Sequence, residues 1–397
     1  MIAPFAIGSL PRIVFGSGSR TQLPNLIADF GQHALLVTGA GSITATPRWA
    51  TLSAALASAG IRADITVITR EPSPDDVDRA VQRFRNKGID VVVAVGGGSV
   101  VDAGKAIAGL LPFGNSVFDH LEGVGRGLPY SGPALPFIAM STTAGTGSEA
   151  TKNAVLSVVG PDGYKKSFRH DSLVPRYAVV DPDWLETCPP DLIAANGMDA
   201  LTQLLESFVS TRANSFTDAL AESGLRAVAA GLIPAWQGGD HDEAQAARSQ
   251  MAYGALLSGI TLAQAGLGAV HGVASPLGAF FPISHGVACG STLVAATRIN
   301  LAALRERASN HPSLEKYARA GRVIFNQPSL DTDRATTMLL QQLTDWHTQL
   351  GLPKLRDFGV RRDDFARIVA NSRGNSMQTN PIVLSDAEIT AILTESC

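Results

Sequence analysis

The stretch DVVVAVGGGSVVDAGKAIA, residues 90–108, changes its pattern midway. A run of β-branched residues comes first, three glycines follow, and apolar residues then recur at helical spacing from Ser99 onward. Glycines at such a junction let a phosphate approach the backbone, and the N-terminus of the following helix favours its charge. The glycines could equally make only a tight turn. The stretch therefore predicts a buried strand followed directly by a helix, without the GxGxxG or Walker pattern.

Similar units surround this stretch in the first half of the chain. Apolar runs at 33–41, 63–69, 135–145 and 177–182 are typical of strands buried on both faces, as parallel strands are. A helix is expected over 73–88, with Ser73 as its cap, Pro74 at its first position and Gly88 at its end. Alternating strands and helices predict a doubly wound parallel sheet over residues 1–182.

The second half of the chain has a different rhythm. Apolar residues recur at helical spacing over 191–210, 218–236, 246–263 and 336–351, and strand-like runs disappear. Residues 237–245 and 306–316 are predicted to be surface loops. A chain of 397 residues usually forms more than one core. We therefore expect an α/β domain over residues 1–182 and an all-helical domain over residues 183–397.

Composition narrows the class of protein. The formal net charge is -3, with 45% apolar and 17% charged residues, which argues against a nucleic-acid or anionic membrane surface. Cys188, Cys289 and Cys397 are far apart and form no disulfide framework. The first residues lack a signal-peptide pattern, and no window has the character of a membrane span. The composition is ordinary for a large soluble enzyme with much buried surface, and these features together favour a cytoplasmic location.

A second loop has the character of a ligand site. Residues 141–155, STTAGTGSEATKNAV, also follow a strand and are rich in hydroxyl groups and glycine. They could donate hydrogen bonds to a pyrophosphate or a ribose, or simply form a polar surface loop. Because both this loop and the glycine run follow strands, they should meet at the edge where open α/β sheets bind ligands.

A candidate metal site lies in the helical half. Asp199 and Gln203 are four residues apart and share a helix face. His271 and His285, two of only 8 histidines, bracket the apolar segment 269–286. One carboxylate and two imidazoles can bind a divalent metal ion. Alternatively, Asp199 lies at a helix start and the histidines are hydrogen-bonded core residues.

Together the motifs GGGSVVDAGK, STTAGTGSE, VVDP, GMDAL, VHGVASPLGAFFPISHG and TNP (379–381) resemble those of the iron-containing (group III) alcohol dehydrogenase family. The resemblance extends over nearly the whole chain. It implies a Rossmann-like N-terminal domain and an all-helical C-terminal domain, as in the dehydroquinate synthase-like architecture, with the active site between them. It also implies NAD(P)-dependent interconversion of an alcohol with an aldehyde or ketone, in a homodimer or larger assembly.

The resemblance further implies roles for individual residues. Asp199, Gln203, His271 and His285 take the positions of the ligands for iron or zinc. His271, His285 and Ser275 take catalytic positions, and Asn153 and Phe281 are expected beside the substrate. The residues in cofactor-binding positions are Gly39, Ser42, Gly96, Gly97, Gly98, Ser99, Asp102, Thr142, Thr143, Ser148 and Lys165.

Three positions depart from the family pattern. Gln203 and Ser275 stand where the family has histidines, and Gly39 stands where its NAD-preferring members usually carry an aspartate. An amide oxygen is a weaker ligand than imidazole, so metal dependence stays open. Without a carboxylate at position 39, a 2′-phosphate is not repelled and Ser42 could bind it, which favours acceptance of NADP.

Three alternative functions remain at this stage. A metal-independent reductase of a small carbonyl acid, similar to maleylacetate reductase, would use protein donors to stabilise the oxyanion. A polyol dehydrogenase of the glycerol-dehydrogenase type would require the metal strictly. A catalytically silent nucleotide-binding protein would explain the loss of two histidines.

Overall fold

Six parallel strands form the sheet of the N-terminal half in the computed structural model, which describes residues 2–397. Their spatial order is β1-β8-β5-β4-β2-β3. The order reverses direction beside β4, so the sheet is doubly wound, as the sequence predicts. The strands of this sheet are β1 (Arg12–Phe15), β2 (His33–Gly39), β3 (Arg62–Ile68), β4 (Val91–Gly96), β5 (Phe137–Ser141) and β8 (Tyr177–Val180).

The central strands are buried because helices cover both faces of the sheet. Every residue of β4, β5 and β8 is buried, and two separate apolar cores lie on the two faces. The helices of this half are α1 (Leu23–Ala28), α2 (Pro47–Ser58), α3 (Pro74–Phe84) and α4 (Gly98–Leu110). Ser73 and Asp76 form a capping box on α3, which ends four residues before Gly88.

The prediction that residues 63–69 are buried on both faces is wrong. They belong to β3, which lies at the edge of the sheet and alternates between exposed and half-buried residues. Ile65 and Val67 are 46% and 51% exposed, because they point to the face opposite Ile68, which is the residue of this strand that joins an apolar core.

Two further features escaped the sequence patterns. Strand β1 is only four residues long and mostly exposed. An antiparallel hairpin of β6 (Asn153–Val158) and β7 (Tyr164–Arg169) lies beside the sheet and packs on α4 and on the helical half. The hairpin carries Lys165 and the backbone of Asn153 to the same side as the ends of the parallel strands.

Helices make up the rest of the chain. Their core is one continuous apolar cluster that includes Met198, Val273 and Leu293. The predicted loop at 237–245 is shorter than expected because α7 begins at Asp242, and the loop at 306–316 shrinks to 308–311 between two helices. The helices are α5 (Pro190–Val209), α6 (Ser215–Gln237), α7 (Asp242–Ala265), α8 (Ala269–Phe280), α9 (His285–Arg307), α10 (Pro312–Phe325), α11 (Thr332–Gln349), α12 (Phe365–Asn371), α13 (Asn375–Gln378) and α14 (Asp386–Ser396).

Helix α9 is long and apolar enough to cross a membrane, contrary to the expectation from the sequence. Helices α7 and α8 would also be long and apolar enough if they were taken together, but a bend of 101° separates them. In α9, 78% of the most apolar window is buried against other helices. Burial of this kind is typical of the central helix of an all-helical core.

Candidate active site

A cleft of about 650 Å³ lies between the C-terminal ends of the parallel strands and the helical domain. Nearly all the residues singled out in the sequence line it. These are Gly39, Ser42, Gly96, Gly97, Gly98, Ser99, Asp102, Thr142, Thr143, Ser148, Asn153, Lys165, Gln203, His271, Ser275 and His285. The cleft is large enough for an extended dinucleotide and a small substrate.

The N-terminus of α4 opens into this cleft. Gly97 is its N-cap, and within residues 2–397 no side chain caps it. A Cβ at Gly98 would lie 2.7 Å from Thr146 Oγ1, and one at Gly97 would lie 3.2 Å from Thr143. The glycines thus let the 141–155 loop pack against the helix start, while the uncapped N–H groups remain able to bind an anion such as a pyrophosphate.

The buried side chain of Lys105 connects α4 to the 141–155 loop. Its ammonium donates to Ser148 O and Oγ, Thr151 Oγ1 and Asn153 O at 2.6–3.0 Å, and its side chain is fully buried. Ser148 Oγ donates to Asp102, whose carboxylate lies 3.7 Å from the ammonium. Burial lowers the pKa of Lys105 to about 8. The network fixes the two cofactor-facing segments relative to each other.

Lys165 reaches the cleft from β7 as part of an ion pair. Its ammonium lies 2.8 Å and 2.9 Å from the two carboxylate oxygens of Glu71, which also accept from Ser157 Oγ at 2.8 Å. Burial raises the pKa of Glu71, but the Lys165 charge outweighs it and the net shift is downward. Glu71, which the sequence analysis did not single out, holds Lys165 in place.

The outer end of the cleft carries one cation beside Gly39. Gly39 pairs with Ile68 at the ends of β2 and β3, and Arg70 follows two residues later. Gly39, Ser42 and Arg70 all line the cleft. Arg70 is held only loosely, at 3.6 Å from Asp76, with 69% of its side chain exposed.

Asp199, His271 and His285 meet at the inner end of the cleft. Asp199 lies in the middle of α5, so the alternative of a carboxylate at a helix start is wrong. Its Oδ1 is 3.3 Å from His271 Nε2 and 3.9 Å from His285 Nε2. Although the side chain is 1% exposed, neither carboxylate oxygen has a hydrogen bond of good geometry from any of residues 2–397. An uncompensated buried carboxylate beside two imidazoles fits a cation.

A fourth side chain in this cluster was missed in the sequence. Cys289 Sγ lies 3.6 Å from His271 Nε2 and 3.9 Å from His285 Nε2. One ligand atom each from Asp199, His271, His285 and Cys289 falls within 4.8 Å of the others. The signal was present, because Cys289 follows His285 by four residues on one helix.

Glu206 supports the cluster from behind. Its carboxylate accepts from His271 Nδ1 at 2.7 Å and from Val270 N at 2.6 Å, at the start of α8. Asn380, from the TNP motif, accepts from Ala269 N at 3.0 Å in the same turn. Because Nδ1 is bonded to Glu206, His271 presents Nε2 to Asp199 and Cys289, as in carboxylate–histidine–metal arrangements.

Burial and neighbouring charges shift the pKa values of all four side chains in the cluster. Burial raises the pKa of Asp199, but His285 and His271 outweigh it and lower the pKa to about 2. Burial lowers the pKa of His271, but Cys289, Asp199 and Glu206 together raise it well above its ordinary value. Burial, reinforced by Lys165, lowers the pKa of His285 to about 4. Burial raises the pKa of Cys289 to about 12.

Three predicted site residues, Gln203, Ser275 and Phe281, lie outside the cluster of Asp199, His271, His285 and Cys289. Gln203 Oε1 accepts a hydrogen bond from Ser258 Oγ at 2.7 Å. Ser275 lines the cleft, and its Oγ is 3.5 Å from Lys165 O. Phe281 does not line the cleft: it follows the last residue of α8 and packs against the helical core. The expectation that Phe281 lies beside the substrate is therefore not met.

Comparison with known proteins gives a consistent result. Residues 11–182 match the model of the family described as iron-containing alcohol dehydrogenase, and residues 193–397 match that of the Fe-containing alcohol dehydrogenase family, C-terminal. Alcohol dehydrogenase 4 of Saccharomyces cerevisiae (strain YJM789) is 30% identical over 388 residues, 96% of each chain. The NADPH-dependent butanol dehydrogenase of Clostridium saccharobutylicum is 30% identical, over 90% of this chain and 88% of the relative. A crystal structure of 1,3-propanediol oxidoreductase superposes with a TM-score of 0.88 at 30% identity and covers 100% of both chains.

The fold, the cleft and the cluster define a nicotinamide-dependent oxidoreductase. It interconverts an alcohol with an aldehyde or ketone. The chain belongs to the iron-containing alcohol dehydrogenase family.

Proposed function

We propose that this enzyme reduces a small aldehyde or ketone with NADPH, and catalyses the reverse oxidation, at the inner end of the cleft beside a metal ion held by Asp199, His271 and His285. One observation carries this proposal. The buried Asp199 carboxylate, which lacks a well-formed hydrogen bond from residues 2–397, faces two imidazoles at the wall of a cleft of dinucleotide size.

When bound, the nicotinamide donates or accepts the hydride and the metal ion polarises the substrate oxygen as a Lewis acid. The protein residues orient and enclose these groups. The N–H groups at Gly98 and Ser99 bind the pyrophosphate at the helix start. Lys165, held by Glu71, would contact the cofactor ribose. Asn153 and Ser275 line the space left for the substrate.

We assign the remaining cofactor contacts to two further groups of residues. Thr142 and Thr143 face the nicotinamide side of the cleft from the 141–155 loop. Asp102 and Ser148 orient the cofactor through the network around Lys105, since the Ser148 hydroxyl already donates to Asp102. Gly96 and Gly97 keep the turn before α4 free of side chains that would fill the phosphate position.

The preference for NADP follows from the outer end of the cleft. Gly39 leaves space for a 2′-phosphate, Ser42 can donate to it, and Arg70 supplies a cation with most of its side chain exposed. The Michaelis constant for NADP should lie well below that for NAD. In Arg70→Ala this advantage should shrink by about tenfold, the loss of one charged hydrogen bond. A Michaelis constant for NADP far above that for NAD contradicts the assignment.

We further propose the division into domains 1–182 and 183–397, a cytoplasmic location and a homodimer or larger assembly. The change from strands to helices after β8 supports the division. The exposed Ile13 and Phe15 on edge strand β1, at 39% and 41%, support association through that edge. Light scattering of the purified protein measures the assembly, and a monomer at micromolar concentration overturns it.

The central test is NAD(P)H oxidation against a panel of aldehydes, ketones and small carbonyl acids. The protein is assayed as purified, after chelation, and after return of zinc or iron. We expect turnover of aldehydes or ketones that falls on chelation and returns with metal. A full rate with no detectable ion supports the metal-independent reductase. Tight NADPH binding without turnover on any substrate and with either metal supports the silent nucleotide-binding protein.

A further inference from the structure

We propose that Cys289, and not Gln203, completes the metal centre, and that the resulting set of Asp199, His271, His285 and Cys289 favours zinc over harder ions such as magnesium and manganese. The inference rests on the proposed function in one respect, since it requires a divalent ion at Asp199. It assigns a ligand at a position where neither the family resemblance nor the spacing of Asp199 and Gln203 places one.

The four ligand atoms lie within 4.8 Å of one another, and two of their separations match a tetrahedral zinc site. With Zn–N and Zn–O bonds of about 2.1 Å and a Zn–S bond of about 2.3 Å, tetrahedral angles require about 3.4 Å between N and O and about 3.6 Å between N and S. Asp199 Oδ1 and His271 Nε2 are 3.3 Å apart, and Cys289 Sγ and His271 Nε2 are 3.6 Å apart. His285 Nε2 is 3.9 Å from both Asp199 Oδ1 and Cys289 Sγ. A small rotation of the partly exposed His285 ring would shorten both distances to tetrahedral values.

The helix geometry explains why the sulfur reaches this point. His285 occupies the first turn of α9, and Cys289 lies one turn later on the same face. Cys289 is fully buried, and its Sγ lies 3.6 Å from His271 Nε2, inside the cluster. On metal binding the thiol loses its proton to solvent and the thiolate forms the metal–sulfur bond.

Gln203 has a different partner. It follows Asp199 by one turn of α5, but its only possible ligand atom, Oε1, accepts from Ser258 on α7. Ligation through Oε1 would have to share or break this 2.7 Å bond inside a buried site. An amide oxygen is also a poorer ligand than a thiolate for zinc.

The hydrogen bond from His271 to Glu206 is consistent with the same ion position. Glu206 accepts from His271 Nδ1 and thereby directs Nε2 toward both Asp199 and Cys289. A thiolate with two imidazoles and one carboxylate is a borderline-soft, tetrahedral set, which favours zinc over magnesium or manganese.

The experiment uses the full-length protein, stripped of metal and titrated with cobalt(II) and then zinc. Cobalt reports sulfur ligation directly, through a thiolate-to-metal charge-transfer band in the near ultraviolet. Wild type should show this band at one cobalt per chain. Cys289→Ser should lose the band and bind zinc at least about 100-fold more weakly, since even outer-shell partners are worth about 10–100-fold. Cys188→Ser, which removes a thiol outside the cluster, should keep both properties.

Two variants at position 203 separate the ligands. Gln203→Ala should keep the cobalt band and most of the zinc affinity. In a Cys289→Ser background, Gln203→His should restore zinc affinity without restoring the band, because an imidazole at position 203 lies one turn from Asp199. Circular dichroism and thermal unfolding of each apoprotein show whether a variant has lost its fold. If Cys289→Ser does not fold, Cys289→Ala replaces it in the experiment.

The outcomes separate this inference from the function itself. A cobalt band that persists in Cys289→Ser and Cys289→Ala, or a wild type that binds cobalt without the band, overturns the assignment of Cys289 and leaves metal-assisted catalysis intact. Loss of zinc affinity in Gln203→Ala but not in Cys289→Ser reverses the two roles. Failure of wild type to bind either ion overturns both the assignment and the metal-assisted function.

Discussion

Replacing Lys105 with methionine should strongly destabilise the protein. The fully buried ammonium donates to four oxygens at 2.6–3.0 Å and lies 3.7 Å from Asp102. Methionine keeps the apolar length of the side chain but leaves those acceptors and a carboxylate without their cation. Removing one partner of a buried ion pair costs about 3–5 kcal/mol. We expect Lys105→Met to lower the free energy of unfolding at pH 7 by about this amount.

The pH dependence of this difference has a definite sign. Burial lowers the pKa of Lys105 from 10.5 to about 8 in the folded protein. Between these values the unfolded chain holds a proton that the folded chain has released, so the stability of wild type rises with pH there. A shift of about 2.5 units corresponds to about 3 kcal/mol. The gap between wild type and Lys105→Met should therefore widen by about 3 kcal/mol from pH 8 to pH 10.5.

Urea unfolding at pH 7, 8, 9 and 10 measures both effects. Lys152→Met is the matched control, because Lys152 is 44% exposed and pairs with Asp171, which is 72% exposed. Such surface pairs are worth about 0–1 kcal/mol. NADPH affinity should also fall in Lys105→Met, since Lys105 ties α4 to the 141–155 loop. A loss of stability no greater than that of the control, or a gap that stays constant with pH, refutes the reasoning.

Three further predictions concern the cleft and the cluster. Gly97→Val adds a side chain whose Cβ lies 3.2 Å from Thr143 at the start of α4, so NADPH fluorescence titration should detect no binding while circular dichroism stays unchanged; unaltered affinity contradicts the phosphate assignment. Gly39→Asp places a carboxylate at the end of β2, and steady-state kinetics should show a Michaelis constant for NADP about tenfold higher, with little change for NAD, because the carboxylate repels the 2′-phosphate. Glu206→Gln weakens the support of His271, and zinc affinity by equilibrium dialysis should fall about 10–100-fold; equal affinity would mean that Glu206 serves only to cap α8.

The sequence predicted the central sheet well because its strands are buried on both faces. Strands of this kind are nearly continuous apolar runs, as Val91–Gly96 and Phe137–Ser141 are. The hairpin strand Tyr164–Arg169 was missed because it contains three basic residues and lies half exposed beside the sheet. Its role is visible only in three dimensions, where it brings Lys165 to Glu71.

The candidate site could be predicted only in part for a related reason. Helical spacing correctly placed Asp199 and Gln203 on one face, but spacing does not say which of two neighbouring side chains turns toward a third helix. That choice depends on Ser258, which lies 55 residues further along the chain and occupies the oxygen of Gln203. The same spacing argument also applies to α9. Cys289 follows His285 by four residues and therefore shares its helix face.

The arrangement of α5 explains how a ligand can move from position 203 to position 289 without a change of fold. Asp199, Gln203 and Glu206 form one stripe along α5, and their contacts are spread over three helices. Asp199 faces the imidazoles of α8 and α9, Gln203 bonds to α7, and Glu206 holds the first turn of α8. Position 203 lies one helical turn from Asp199 on α5, and position 289 lies one helical turn from His285 on α9. Exchanging the ligand between them alters one side chain on each of two helices and leaves Glu206, which fixes His271, untouched. On the proposal made above, Gln203, which stands where an imidazole is expected, and the buried Cys289 are therefore two features of one metal centre.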